Sequence, residues 1–259
     1  MHIRTTIIAS TALAFVAMVA EAHSWADCVD WRFKDPTAKP SWDAKDGTCH
    51  GYAREYPLKK NIRFGDLDSD SPNRHYQQDG ALVPCSDGKS GIEKGADETR
   101  KNPISAAYFE GDPQWGPMAK ARAGDIMCIR WPSKTHGSET GLLPVSINMP
   151  IVTLDKDPDQ KTFSAASVIT LPFNNCSTIA GDGDHTPCGG CFPVPGGLKT
   201  GNYVIQWRWE LTNGQKKEFY TSCWDLGVTA RDESSTTGTP KSVPTLDAST
   251  NIFGTLVQA

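Results

Sequence analysis

Tyr203-Val204-Ile205-Gln206-Trp207-Arg208-Trp209-Glu210-Leu211, then Asn213-Gly214, then Lys216-Lys217-Glu218-Phe219-Tyr220-Thr221-Ser222-Cys223-Trp224, is the stretch that decides the fold. Its residues alternate. Tyr203, Ile205, Trp207, Trp209 and Leu211 fall on one face of an extended chain, and Val204, Gln206, Arg208 and Glu210 on the other. That period of two is the signature of a strand with one apolar face. Asn-Gly between two such runs signals a hairpin turn. On the return run Glu218 and Tyr220 share one face, and Phe219 and Cys223 the other.

Working outward, Gly124 to Trp131 reads as a strand stopped by Pro132, and Leu142 to Leu154 and Thr162 to Phe173 as two more strands. The turn-rich Asp155-Lys156-Asp157-Pro158-Asp159 separates these two. Asn174 to Gly197 is a Cys-, Gly- and Pro-rich excursion, and Gly65 to Lys101 has a loop composition. From His23 to about Arg63 the chain is aromatic and polar without a helical period, predicting loops and short strands. Strands, turn signals and no long helix predict an all-β chain, an antiparallel β-sandwich with long loops.

The ends read differently. Met1–Ala22 has Arg4, an apolar run from Ile7 to Ala20, and Ala20-Glu21-Ala22, the pattern of a secretory signal peptide. Cleavage there would leave His23 first, with residues 23–230 as one domain. Residues 231–259 are Ser/Thr-rich and read as a flexible tail. All 8 cysteines follow the cleavage point, which predicts disulfides in a secreted, extracellular protein, with the connectivity open. Net charge is −4 with no basic run, which argues against nucleic acid as a partner. Beyond the leader no apolar stretch is long enough to span a membrane. The expected state is a monomer. Asn175-Cys176-Ser177 is the one glycosylation sequon, and Cys176 is expected in a disulfide.

Several residues can carry chemistry. An N-terminal His23 offers both an α-amine and an imidazole to one metal ion. His136 stands on a loop just off a strand end, where a rigid scaffold can hold a side chain for function. His185-Thr186-Pro187-Cys188-Gly189-Gly190-Cys191 could bind zinc or act as a redox pair, but an even cysteine count in a secreted chain favours structural disulfides. His50 and His75 read as structural or solvated.

Three motifs occur together: His23 shortly before Cys28; Gly124-Asp125 leading to Trp131 and His136-Gly137; and Tyr203-x3-Trp207 followed by Glu218-Phe219-Tyr220-Thr221-Ser222-Cys223. This combination resembles the lytic polysaccharide monooxygenases. The opening His23-Ser24-Trp25-Ala26-Asp27-Cys28-Val29-Asp30-Trp31 resembles most the oomycete branch, auxiliary activity family seventeen. The resemblance spans about His23 to Val228. It implies an immunoglobulin/fibronectin-like sandwich and one copper ion in a histidine brace. In that brace His23 gives its α-amine and a ring nitrogen, His136 gives a third nitrogen, and Tyr220 lies on the axial side. Glu218 takes the place where many members carry Gln, as the group that hydrogen-bonds the oxygen species. Imidazole and amine nitrogens suit copper. The implied activity is oxidative cleavage of a plant cell-wall polysaccharide, pectic homogalacturonan, with an external electron donor and hydrogen peroxide or dioxygen as co-substrate. An anionic substrate would favour basic residues near the brace, and Lys134, Arg32 and Lys34 are the candidates. Two other readings stand beside this one. One is a secreted copper-binding protein without catalysis, the other a disulfide-rich binding protein without metal.

Overall fold

The computed structural model of the chain describes residues 24–38, 41–54, 84–85, 118–137, 140–151, 157–177, 185–213, 216–231 and 255–256. The hairpin read from the alternating stretch is the longest element. Strand β8 (Gly201–Asn213) pairs antiparallel with β9 (Lys216–Thr229) without a register shift, Trp209 opposite Tyr220 and Leu211 opposite Glu218. Asn213 pairs with Lys216, so the connection is residues 214–215, one position later than an Asn213-Gly214 turn would give. Around this hairpin runs a six-stranded sheet in the order β10-β6-β5-β8-β9-β3, from β3 (Ala119–Arg122), β5 (Val145–Asn148), β6 (Ser167–Leu171) and β10 (Thr255–Leu256). The fold is nearly all β, as expected. One pairing departs from the antiparallel expectation: β3 runs parallel to β9.

A second layer covers the apolar face of the hairpin. Strand β4 (Ile126–Pro132) pairs antiparallel with β7 (Pro187–Pro193), setting Pro132 opposite Pro187 and Trp131 opposite Cys188. The two layers meet through aromatic rings, with Trp131 at 5.9 Å from Trp207 between centroids. Ile205, Trp207, Trp209, Tyr220, Trp224, Ile129 and Phe192 are all buried in this one core. Burying a side chain of this size contributes ~1.5–3 kcal/mol, so the apolar face of the hairpin is the main source of cohesion. Strand β7 lies in the stretch read as an excursion. Its glycines look like loop residues but serve packing: a Cβ at Gly189 would stand 2.4 Å from the Trp42 ring, and one at Gly190 2.9 Å from Leu171. Its prolines sit at the two ends, where a missing N–H costs a short ladder little.

Two further sequence expectations change. Within the Leu142 to Leu154 stretch the described residues 142–151 form a strand only at β5, residues 152–154 lying outside the described residues, and the Thr162 to Phe173 strand begins as a helix, α1 (Gln160–Ala165). The reason is the cap. Asp159 accepts a hydrogen bond from the Thr162 amide at 2.8 Å, satisfying a helix-end donor that a strand would have sent elsewhere. The polar face of β8 is covered as well. Val204 and Cys223 pack against Phe163 of α1 and against Cys85. Gln206, fully buried, donates to the Pro84 carbonyl and to Gln160 and accepts from Asn148. Thr255 and Leu256, within the segment read as a tail, pair with Thr170 and Ile169 at the sheet edge.

Four disulfides close the fold: Cys28–Cys49, Cys85–Cys223, Cys128–Cys191 and Cys176–Cys188. Each contributes about 3–5 kcal/mol in the chain-entropy account, most for the long Cys85–Cys223 loop, and such bonds form in oxidising compartments. Among the described residues no helix is long and apolar enough to cross a membrane. Asn175 of the sequon is turned inward, its amide donating to the Gly189 carbonyl at 2.6 Å.

Candidate functional site

Strand β4 delivers His136. After Pro132 the chain makes a single 3-10 turn, Lys134–His136, in which the His136 amide donates to the Ser133 carbonyl at 3.0 Å. Ser133 is fully buried, and its amide donates to the Thr186 carbonyl at 2.9 Å, which fixes the turn to the start of β7. Gly137 follows because nothing larger fits: a Cβ there would stand 2.8 Å from the Ser133 hydroxyl. Lys134 takes a left-handed backbone, φ 52°, a conformation that costs a non-glycine residue ~1–2 kcal/mol. The turn is therefore held, not loose, and His136 is 7% exposed within it.

Strand β9 delivers the other side. Tyr220 is fully buried and its hydroxyl donates to Glu218 Oε2 at 2.5 Å, the length of a charge-assisted O–H···O⁻ bond. Two residues apart on a strand, the pair points the same way, as the period of two predicts. Trp209, opposite Tyr220 in the register, joins the halves. Its ring lies 5.5 Å from His136, edge-on, and 5.5 Å from Tyr220. It stacks on Phe173 at 3.7 Å and 11°, and its Nε1–H donates to the Leu143 carbonyl at 3.0 Å. The structure thus brings His136, Tyr220 and Glu218 to one aromatic cluster centred on Trp209.

The segment that begins at Ser24 threads between the same two strands. The Ser24 hydroxyl donates to the Pro132 carbonyl at 2.7 Å, and the Ala26 amide donates to the Ser222 hydroxyl at 3.0 Å. Asp27 forms a buried ion pair with Arg130 at 2.7 Å, and the Arg130 guanidinium lies 4.2 Å over the Trp31 ring. Cys28 bridges to Arg130 and is tied to Cys49. His23 itself lies outside the described residues.

No family model matches this chain. No curated protein matches it either. Among solved structures, the soluble domain of PmoD from Methylocystis sp. is similar at 12% identity over 46% of this chain and 84% of that one, with a TM-score of 0.25. A likeness at that score carries no argument about fold or function.

The remaining candidates sort clearly. Cys188 and Cys191 are both in disulfides, so the zinc and dithiol readings of the His185 motif have no thiolates to use. His50 is half-buried, its amide donating to Asp30. His75 lies outside the described residues. Lys134 is buried, its ammonium 5.9 Å from the Trp25 ring centroid, and does not stand as an open substrate contact. Exposed Arg32 pairs with Asp30, and the ammonium of exposed Lys34 donates to the Lys45 carbonyl. Among the described residues no three His, Cys, Asp or Glu side chains gather as a metal site. Of the residues named above, His136 offers one imidazole, packed against Trp209, and Tyr220 a phenol whose hydroxyl donates to Glu218. Sequence reasoning missed Trp209 and Phe173 as parts of this site, and quoted Gly137 and Ser222 in the motifs without giving them a role. The aromatics look like core, and so they are; only the folded ring packing brings Trp209 against both His136 and Tyr220, and Phe173 against His136.

Proposed function

We propose that the protein is a secreted copper monooxygenase that cleaves glycosidic bonds of a plant cell-wall polysaccharide oxidatively, with pectic homogalacturonan as substrate. The observation that carries this reading is the docking of Ser24 and Ala26 between Pro132 and Ser222. His23 precedes Ser24 in the chain, and Pro132, to which Ser24 is bonded, leads into the turn that carries His136. His23 would hold copper through its amine and a ring nitrogen, and His136 through one ring nitrogen. Bound there, copper would supply one-electron chemistry and activate the oxidant.

The chain's own residues then have definite work. Trp209 and Phe173 fix the His136 ring by packing and keep water from its buried edge. Tyr220 fills the buried space beside Trp209, where its hydroxyl donates to Glu218 and would stand next to a bound ion as a protonated phenol. Glu218, half-buried at the rim, can accept or return a proton at Oε1 while Oε2 stays on Tyr220. No pair of carboxylates for ordinary glycoside hydrolysis is invoked.

The test is product analysis by mass spectrometry on processed, copper-loaded protein with ascorbate and homogalacturonan, beside cellulose and chitin, with a His23→Ala control. The expected result is oxidised galacturonan oligomers that require copper, reductant and His23. Oxidised products from cellulose or chitin alone would overturn the pectic substrate. Tight copper binding with no oxidised glycan would replace the enzyme by a copper-binding protein. A chain with one residue added before His23 should lose high-affinity copper.

A further inference from the structure

On the face of β8 turned away from Trp209, Arg208 stands opposite Thr221 on β9 and Ser146 on β5. Its guanidinium carbon lies 4.1 Å over the Phe219 ring, a cation–π contact. Guanidinium groups suit such contacts and take carboxylates in a planar, two-pronged geometry. Yet no described residue supplies an acceptor for Arg208 Nε, a buried atom, or a partner for the buried Thr221 hydroxyl. The nearest acid on the same strand face, Glu210, is committed to Lys217 at 2.7 Å. Burial pushes the Arg208 pKa down, against the opposing pull of Glu210, as expected of a partly desolvated cation.

The neighbouring row of the same sheet makes the contrast. There Asn148, Gln206 and Gln160 bond one another, and Gln206 also reaches the Pro84 carbonyl. Polar groups in these folds are matched as a rule. One row is matched in full, and the next presents a cation and a buried hydroxyl side by side.

We propose that the half-buried guanidinium of Arg208, lying over Phe219, is a binding site for the carboxylate of an acidic sugar. It lies across the sheet from Tyr220 and is separate from the site described above. The choice of a uronate over other carboxylates rests on the substrate reading given under Proposed function; the cation and its missing partner do not. A site here would anchor an acidic polymer away from the reacting bond.

The experiment is titration calorimetry of the metal-free full chain with a galacturonate oligomer. A neutral cello-oligomer, sodium acetate and polyglutamate run in parallel. Arg208→Gln is expected to weaken the galacturonate oligomer about tenfold, the loss of a charge-assisted pair. Arg208→Lys, which keeps charge but not the fork, should fall between. A thermal melt of each variant shows that it folds; Arg208→Lys carries the test if Arg208→Gln does not fold. Wild-type affinity in Arg208→Gln, or equal binding of the neutral oligomer, would overturn the proposal. Arg208-dependent binding of polyglutamate or acetate alone would overturn the uronate assignment. Because copper is absent, failure of the copper reading leaves this result unchanged.

Discussion

Replacing Asp225 with alanine probes the joint that fastens residues 51–54 to the strand carrying Tyr220. Arg54 donates Nε–H to Asp225 Oδ2 at 3.0 Å and Nη2–H to Oδ1 at 2.8 Å, while Nη1–H goes to Asp157 at 2.5 Å. The side chains of Arg54 and Asp225 are 6% and 3% exposed, and that of Asp157 is 34% exposed. Burial alone would lower the Arg54 pKa; Asp225 and Asp157 outweigh it and hold the pKa above its ordinary value. A guanidinium does not lose its proton in proteins, so Arg54 stays charged when Asp225 is removed. Taking one partner from a buried pair costs ~3–5 kcal/mol. Asp157 remains in place, so the low end, about 3 kcal/mol, applies. In a domain of this size each kcal/mol moves Tm by ~2–4 °C, which predicts a fall of about 6–12 °C. Asp157→Ala removes a solvent-screened partner worth about 1 kcal/mol or less, a fall of at most ~4 °C. Differential scanning calorimetry of the disulfide-intact proteins measures both. Equal shifts, or a shift under ~2 °C for Asp225→Ala, would refute the reasoning.

Trp209→Phe keeps a ring against Phe173 but deletes the hydrogen bond to the Leu143 carbonyl; it should destabilise by ~1–3 kcal/mol in urea unfolding. It should also make His136 more reactive to diethyl pyrocarbonate in the metal-free protein, read by peptide mapping. Gly137→Ala pushes a methyl against the Ser133 hydroxyl and should cost ~1–3 kcal/mol. The same His136 peptide would report the displaced turn. Asp159 has its pKa lowered first by the Thr162 hydroxyl and then by the Thr162 amide. A lowered folded pKa means that the cap's contribution is present above the unfolded value, ~3.9, and is lost as pH falls through the folded value. The Thr162 amide resonance should therefore titrate with a midpoint below ~3.9; a midpoint at or above it would contradict the cap.

The hairpin was legible because both sources of information agree there: alternation gives the faces, and an Asn-Gly marks the reversal. Ile205, Trp207 and Trp209 occupy the face that alternation assigns to them. Strand β7 was not legible, since its prolines and glycines carry loop statistics while their actual reason is contact with Trp42 and Leu171, distant in sequence. The helical start of Gln160–Ala165 hides behind residues with no strong helix pattern, and only the Asp159 cap betrays it. Burial of Gln206 was equally hidden, because its cover comes from Pro84 and Gln160. At the site, His136, Tyr220 and Glu218 were nameable from their motifs. The indole that holds His136 and Tyr220 was not, because in sequence it is one more apolar residue on an alternating strand.

The bond from Ala26 to Ser222 spans 196 residues, and that from Ser24 to Pro132 spans 108. A chain made from its N-terminus at ~5–20 residues per second must wait about 10–40 s before Ser222 exists to receive Ala26. The earliest part of the domain to be synthesised is thus the latest to find its seat. Whatever depends on that bond waits for β9, so a chain cut short before Ser222 lacks it altogether.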